Sequence, residues 1–572
     1  MYFKMKNTIF LEKMKNKIKV FGPYGLVILA IILPWFFLSG YLFLTDMVWG
    51  PNISLDWTSS WFVFNLLVKI FSFVLPIPFL EKVFITGVLL LILLGGRTLV
   101  RTVLEYGRKK TDARFSNGLV FALSLFALFN PFVYDRALYG QFGILAAYGC
   151  MLFTVAYLFK TWQTLDFKNL RSAAVFNAVT FLFSAHYIFL LLPFYLLFAL
   201  GLYGKRREIK KGDAGKKFWP SVLLYFLIVA VLNANWLIAL AVVAAPLTDF
   251  VQKSITNQDL IAFATVGKNG AATLGNVVLM SGFWGKEQMR YFDLADAPGW
   301  QRGFVLLAPL IIYGAYRVFR KTDRATKVFG AALLIIFVAA AVLAVGIKSS
   351  MSRGLTMFLY DNLPLYKGLR EPQKWVAVIV PIYLFFLTIG ARYASKAKLV
   401  VKNRVLSGLL LAAVIIMQAP SLLWGFNRQV RPTPYPEDWI AVNKLLLGRS
   451  APSHECSDRI LFLPWHMYMS FNWVGKIIAN PARVFFSCPV LSGTDMEWGG
   501  IYDNSRDPDG AAVAAWMAVQ GKNGPPVVSM PIHYIILAKE LDFKSYLWLN
   551  DLPYVKPLLE TTTLLVYEVK SK

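Results

Sequence analysis

The chain alternates between long apolar runs and short polar segments. About eleven of these runs approach the length of about 20 residues that lets a helix cross a bilayer. They lie near residues 24–45, 80–100, 117–134, 142–159, 172–186, 187–204, 219–245, 303–319, 327–347, 375–395 and 405–425. The pattern therefore predicts a polytopic α-helical membrane domain over residues 1–426.

The pattern changes after residue 426. "RPTPYPED" is typical of a Pro-rich linker, and "RILFLPW", "HYIILAKEL" and "TTLLVYEV" have the composition of strands. Helices are predicted near 437–447 and 509–520. Residues 427–572 are expected to form a small soluble α/β domain.

Composition and charge agree with a membrane protein. The chain of 572 residues is 57% hydrophobic, and its mean hydropathy is +0.54. Its net charge of +27 is spread over short clusters between apolar runs, which argues against a nucleic-acid-binding surface. The clusters lie at the N-terminus, 97–114, 160–171, 205–217, 317–327 and 392–404.

These basic clusters predict an orientation. Because Lys and Arg concentrate in cytoplasmic loops, we expect the N-terminus and the basic loops inside the cell, with the first apolar run kept as a signal anchor. The segments 46–79, 135–141, 246–302 and 348–374 and the C-terminal domain then lie outside. In the first of these, "WTSSWFVFNLLVKIFSFVL" predicts an amphipathic helix on the membrane surface.

Two of the three cysteines, Cys456 and Cys488, fall in the C-terminal domain. An exported domain permits a disulfide between them, but two buried thiols fit the sequence equally well. Cys150 lies in an apolar run and is expected to serve packing only.

Acidic residues at the outer ends of the predicted spans are the first candidates for chemistry. Asp46 follows the first run, where an ionisable side chain is costly and is either functional or a solvated loop acid. Asp56 lies further out, which favours solvation. In "NPFVYDRALYGQFGILAAYG", Asp135 and Arg136 fall in a very short predicted connection, which is held against neighbouring outer loops or is a salt-bridged turn.

The loop "YDNLPLYKGLREPQKW" places Lys367, Arg370 and Lys374 around Glu371, just before a span. Exported cations are sparse, so this cluster predicts a phosphate-binding site for an anionic lipid headgroup, with snorkelling to ordinary lipids as the alternative. His186, at the outer end of a helix pair, either completes the same pocket or is a packing residue.

The layout resembles the GT-C superfamily of integral membrane glycosyltransferases over residues 20–425. An acid follows the first span in a long outer loop with a surface helix, a second acid lies in the next outer loop, and an exported domain follows. "VYDRALYGQFG" is similar to the E-R-x-x-x-G-H stretch of the actinobacterial arabinofuranosyltransferases. Asp135 replaces the Glu, Arg136 and Gly140 match, and Gln141 replaces the His. "REPQKW" also resembles an Arg-Pro-aromatic element of related bacterial proteins.

The resemblance implies an inverting transferase that takes a sugar from a polyprenyl-phosphate donor to a glycan, lipid or protein acceptor of the cell envelope. Asp46 would be the general base, Asp56 a weaker helper, and Arg370 and Lys374 would stabilise the leaving phosphate. Asp135 would orient the acceptor or hold a divalent metal such as Mg²⁺ or Mn²⁺, which some relatives need and others do not. A transporter or flippase, or a non-catalytic binder of lipid-linked glycans, is the alternative function.

Overall fold

The computed structural model describes most of the chain. The described residues are 20–106, 117–211, 213–242, 257–288, 290–297, 299–363, 365–397, 403–449, 456, 458–494, 496–498, 501–503 and 508–570. The N-terminal basic cluster and parts of the segments 97–114, 246–302 and 392–404 lie outside these ranges.

Within the described residues, seven helices are long and apolar enough to cross a membrane, or eight if one bent pair counts as a span. The bent pair, Val405–Ile416 and Pro420–Asn427, turns by 82°. The seven helices match predicted runs, but the predicted count of eleven is not confirmed. The seven are Ile77–Glu105, Phe142–Thr164, Tyr187–Gly204, Gly215–Leu232, Arg302–Arg320, Arg324–Lys348 and Pro372–Ala394.

Three of the other predicted runs form shorter helices. The first helix, Val20–Phe36, ends well before Asp46, so the prediction that Asp46 directly follows the first span is wrong. The run 172–186 forms Lys168–Phe183, and the run 117–134 is broken into Asn117–Ser124, a 3₁₀ turn and Pro131–Tyr139. The remaining helices of this part are Arg206–Lys211, Ala234–Val242, Asn257–Ala262, Gly270–Val278 and Ser350–Asn362.

The predicted surface helix is present as Phe62–Ser72. Phe64 packs against Phe84 and Phe183, with ring centroids 4.7 and 5.8 Å away. Leu67, Ile70 and Phe71 on other faces stay exposed. Such a helix, apolar on the protein side and on its outer side, fits the boundary of a bilayer.

The C-terminal domain contains a five-stranded sheet in the order β4-β1-β7-β9-β8. β4, β1 and β7 are parallel, and β9 and β8 continue the sheet antiparallel. The three predicted strands and both predicted helices are present. The elements are β1 Arg459–Leu463, β2 Tyr468–Phe471, β3 Lys476–Ala479, β4 Val490–Ser492, β5 Met496–Trp498, β6 Ile501–Asp503, β7 Ile532–Ala538, β8 Val555–Glu560, β9 Leu564–Val569, and the helices Glu437–Arg449, Ala482–Phe485 and Pro508–Ala518.

Cys456 and Cys488 form a disulfide within this domain. The sequence was compatible with either a disulfide bond or two buried thiols, and the structure shows the disulfide bond. Cys150 is a buried free cysteine in the helix Phe142–Thr164, as expected.

The segment after the first helix is packed into the C-terminal domain. Tyr41 pairs with Thr433 as an antiparallel bridge, and the Ala479 amide donates to the Thr45 carbonyl at 2.8 Å. Phe43 lies in the same apolar core as Trp439 and Phe462. The Pro-rich segment "RPTPYPED" is therefore paired with the segment that follows the first helix.

Candidate functional site

The cavity that contains Asp46 lies between the membrane helices and the C-terminal domain. It is open to solvent, and its unfilled space of about 500 Å³ includes part of that solvent. Side chains from six separate segments, most of them polar or aromatic, meet there. The lining residues are Asp46, Tyr139, Gln141, Phe263, Trp284, Gln288, Arg290, Arg370, Glu371, Met467 and Tyr468.

Two hydrogen bonds fix the Asp46 carboxylate, one to each oxygen. Gln141 Nε2 donates to Oδ2 at 3.0 Å, and the Tyr468 hydroxyl donates to Oδ1 at 2.8 Å. Asp46 is exposed to solvent at the cavity, although many protein atoms lie near its carboxylate. This crowding raises the pKa of Asp46 to about 6, even though both hydrogen bonds lower it. Asp46 is therefore mostly ionised at neutral pH and still able to accept a proton.

A short buried helix, Pro131–Tyr139, contributes Tyr139 to the cavity lining. Asn130 caps it by accepting from the Val133 amide, and Pro131 occupies its first position. Gly140 ends it with a φ of 93°, a left-handed conformation that favours glycine. The Asp46 amide donates to the Tyr139 carbonyl at 2.8 Å, so this turn holds the backbone of the acid.

Asp135 and Arg136 lie inside this helix, so the prediction that they occupy a loop is wrong. Arg136 is fully buried and stacks between the rings of Phe132 and Phe283, at 5.3 and 4.9 Å. The Asn-Pro pair marks a helix start here, not the end of a span.

Arg136 connects Gln141, which donates a hydrogen bond to Asp46, to Glu371. Its Nη1 donates to Gln141 Oε1 and, at 2.8 Å, to Glu371 Oε2, while Nη2 donates to Gln373 Oε1 at 2.7 Å. Lys374 binds the other oxygen of Glu371 at 3.0 Å. Burial opposes ionisation of Glu371, but Lys374 and Arg136 outweigh it and hold its pKa well below the usual range. The network orients the Gln141 amide toward Asp46.

Two guanidinium groups line the cavity. Arg370 binds Asp259 at 3.2 Å, lies over the ring of Phe263 at 4.5 Å and stays about one-third exposed. Arg290 lies over the ring of Tyr468 at 5.2 Å. Both cations face the cavity that contains Asp46, which gives it the charge that an anionic substrate needs.

The structure brings together Asp46, Gln141, Arg370 and Glu371 and places Arg136 directly behind them. Lys374, Asp135, Asp56 and His186 are absent from the cavity lining. Lys374 is buried against Glu371. Asp56 is exposed and accepts from the Thr58 amide and hydroxyl, which lower its pKa.

Asp135 is fully buried, and its Oδ2 lies 3.7 Å from Lys286 Nζ. Burial raises the pKa of Asp135 to about 7, although Lys286 acts in the opposite direction. Lys286 also binds Asp293 at 2.6 Å. Asp135 thus anchors the segment that leads to Arg290.

His186 connects two elements behind the cavity. Its Nε2 donates to the Gly368 carbonyl at 2.8 Å, and Nδ1 lies 3.1 Å from Ser184 Oγ. Burial and Lys374 lower the pKa of His186 to about 3, so it is neutral. It holds the turn that precedes Arg370, which agrees with the packing alternative.

Sequence reasoning missed Arg290, Tyr468, Tyr139 and Gln288. Tyr139 lies within the "VYDRALYGQFG" motif that drew attention to Asp135. Its place in that motif is the only sequence signal that could have identified it. Arg290 comes from the long segment 246–302 and Tyr468 from the C-terminal domain, and no spacing relates them to Asp46. Only the fold brings these segments together.

The residues of the cavity do not fit a divalent metal. Mg²⁺ and similar hard cations bind several carboxylate or carbonyl oxygens. In the described part of the chain, no group of three or more His, Cys, Asp or Glu side chains could hold a metal ion. Of the two carboxylates that line the cavity, Glu371 is already neutralised by Arg136 and Lys374.

No protein-family model matches the chain, and no curated protein matches it in sequence. Two solved structures of the arabinofuranosyltransferase AftD from Mycobacteria are similar in fold. Their TM-scores are 0.53 and 0.54, at 12% and 11% identity over 96% and 97% of this chain. The match covers only 39% and 42% of those chains, so this protein spans about two fifths of the enzyme's length.

An oligosaccharyltransferase from Archaeoglobus fulgidus matches at 12% identity over 91% of this chain and 69% of its own, but its TM-score of 0.40 is too low to support an argument. The similarity to the arabinofuranosyltransferase concerns the fold and includes both the helices and the C-terminal domain. The chain is thus a membrane protein whose fold is similar to that of the arabinofuranosyltransferase.

Proposed function

We propose that the protein is a membrane glycosyltransferase that uses a polyprenyl-phosphate-linked sugar as donor and a hydroxyl group of a cell-envelope glycan, lipid or protein as acceptor. The observation that carries this proposal is the Asp46 carboxylate, held by two hydrogen bonds in a cavity with two guanidinium groups. The fold of the GT-C glycosyltransferases supports it.

The geometry supports direct displacement. Asp46 takes the proton of the acceptor hydroxyl, and the acceptor oxygen forms a bond to the anomeric carbon of the sugar. The bond from that carbon to the phosphate oxygen breaks, and the lipid phosphate leaves with the electron pair. Attack from the side opposite the phosphate inverts the anomeric configuration. The second carboxylate, Glu371, has both oxygens in ion pairs and cannot act as a nucleophile.

The cations of the site stabilise the negative charge of the leaving phosphate. A phosphate ester gains negative charge as the glycosidic bond breaks, and a guanidinium aimed at it stabilises the transition state. Arg370 was expected in this role from the sequence. Lys374, its expected companion, is occupied by Glu371, so we assign the second phosphate contact to Arg290 instead.

Replacement of Asp46 tests the proposal. Asp46→Asn keeps the shape of the side chain and removes its basicity, so turnover should fall by about 100-fold or more, the scale of a lost general base. The KM for the donor should stay close to wild type, because Asp46 does not contact the phosphate. The assay follows transfer of radiolabelled sugar from a panel of polyprenyl-phosphate sugars to envelope extracts by purified protein.

Asp56→Asn is the matched control, because that acid is exposed and outside the cavity. We expect it to transfer at the wild-type rate. Asp135→Asn should lower the amount of folded protein more than the turnover per molecule, since its partner is Lys286. Full activity of Asp46→Asn would refute the assignment of the base, and donor binding by the wild type without any transfer would favour a non-catalytic binder.

A further inference from the structure

The segment that carries Asp46 is bound to the C-terminal domain as well as to the Tyr139 turn of the membrane domain. The Thr45 carbonyl accepts from Ala479 at the end of β3, and the side chain of Phe43 is buried in the domain core. Further along, the Asn52 amide donates to the Val484 carbonyl at 2.8 Å. Contacts on both sides of Asp46 thus fix its backbone to this domain.

β2, the partner of β3, begins at Tyr468, whose side chain reaches the cavity. Its hydroxyl donates to Asp46 Oδ1, while Gln141 from the membrane domain donates to Oδ2. Arg290 covers the ring of Tyr468 and is a further contact that restricts its position. The carboxylate is therefore oriented by one donor from each domain.

We propose that Tyr468 is a positioning residue for Asp46, so that the C-terminal domain completes the transfer site of the membrane domain. The inference rests on the proposed function. One lone pair on each carboxylate oxygen is used by these donors, and the remaining directions toward the cavity are left for the acceptor hydroxyl. Loss of the Tyr468 hydroxyl frees the carboxylate to rotate about its last bond and removes a donor that stabilises its ionised form.

Tyr468→Phe tests this assignment. We expect turnover to fall by about 10-fold, the scale of one hydrogen bond to a charged group, with the donor KM unchanged. The acid limb of the pH–rate profile should move to higher pH, because the lost hydroxyl lowered the pKa of Asp46. The other charged or titratable groups around Asp46 are Tyr139, Arg290, Arg370 and Glu371, and all stay in place in this variant.

Tyr554→Phe is the matched control. Its hydroxyl donates to the Gly521 carbonyl at 2.7 Å in the same domain, away from the cavity. We expect this variant to keep the wild-type pH profile. A Tyr468→Phe enzyme that loses turnover without a shift of its acid limb would reduce Tyr468 to a structural residue and overturn the proposal.

A second measurement does not need transfer activity. Carbodiimide reacts with protonated carboxyl groups, so the pH dependence of Asp46 labelling, read by mass spectrometry, reports its pKa. We expect the labelling midpoint at higher pH in Tyr468→Phe than in the wild type or Tyr554→Phe, and equal midpoints would overturn the contact. A midpoint shift in Tyr468→Phe, together with wild-type protein that transfers no sugar, would refute the proposed function and leave the Tyr468 contact intact.

Discussion

Arg370 illustrates how a cation stays available in the cavity although it is already paired with a carboxylate. Asp259 neutralises one side of it and the ring of Phe263 covers a face, yet about a third of the side chain still reaches the cavity. A guanidinium offers five donors, so one carboxylate does not exhaust it. Lys374, by contrast, has one compact charge that Glu371 already binds.

We therefore predict that Arg370→Ala raises the KM for the donor. One charge-assisted phosphate contact contributes about 1.5–3 kcal/mol, which corresponds to about 10- to 150-fold in affinity. Steady-state kinetics against donor concentration measure the change. Arg353→Ala removes an exposed arginine of the same predicted outer loop and should have no effect. Equal donor kinetics in the two variants would remove Arg370 from the site.

Glu371 matters for stability rather than for chemistry. It is the shared counterion of two buried cations, Arg136 and Lys374. Breaking a buried pair from one side leaves an uncompensated charge and costs about 3–5 kcal/mol. We predict that Glu371→Gln lowers the midpoint of thermal unfolding in detergent markedly.

The control for this prediction is Glu568→Gln, which breaks the exposed pair with Arg449 and should cost about 0–1 kcal/mol. Because the pKa of Glu371 is lowered in the folded state, its stabilising effect is present above the ordinary pKa of a glutamate. It is lost as the pH falls through the lowered value. A Glu371→Gln protein as stable as Glu568→Gln would contradict the ion triad.

At the scale of elements, the turn after Pro131–Tyr139 decides where Asp46 lies. A Cβ at Gly140 would lie 2.8 Å from the Met47 amide nitrogen, 2.9 Å from Leu44 Cβ and 3.2 Å from the Asp46 amide nitrogen. The left-handed backbone and the close approach both require glycine. The turn and the segment of Asp46 thus fit each other with no room for a side chain.

We predict that Gly140→Ala displaces the Asp46 segment and lowers turnover by about 10-fold or more, since small misplacement of a catalytic group is costly. Gly524→Ala is a matched control, because Gly524 also has a positive φ, 103°, but no atom within 4 Å of an added Cβ. Both variants should lose about 1–2 kcal/mol from the left-handed conformation. Transfer assays measure the displacement of Asp46, and thermal unfolding measures the backbone strain. Equal turnover in Gly140→Ala and Gly524→Ala would show that the close approach at Gly140 is unimportant.

The same elements show what the sequence could predict. Hydrophobic length identified the seven long helices, and short runs rich in apolar and β-branched residues identified β1, β7 and β9, because both signals follow from local burial. The prediction of one span over 117–134 is wrong because Asn130 and Pro131 begin a new helix. Tertiary contacts bury this helix, and hydropathy cannot distinguish such a buried helix from a span. Asp46 was identified by its position after the first apolar run. Tyr468 could be identified only from the fold, which brings β2 of the C-terminal domain next to Asp46.

At the scale of the whole molecule, the cavity belongs to neither domain alone. Gln141 and Arg370 come from the membrane part, and Met467 and Tyr468 come from the C-terminal domain. For a donor whose lipid chain lies in the bilayer, a site at this junction gives access to the phosphate at the membrane surface and to an acceptor in water. That arrangement requires the C-terminal domain to lie on the same side of the membrane as the donor sugar.

We predict that this side is the outside of the cell. The basic segment 205–217 between Tyr187–Gly204 and Gly215–Leu232 is expected inside, and the Cys456–Cys488 disulfide favours an oxidising compartment for the C-terminal domain. In a Cys150→Ser background with the disulfide intact, an impermeant maleimide should label Lys522→Cys in intact cells. Lys216→Cys, which is equally exposed, should be labelled only after permeabilisation. Labelling of Lys216→Cys in intact cells would reverse the orientation and place the Asp46 cavity in the cytoplasm.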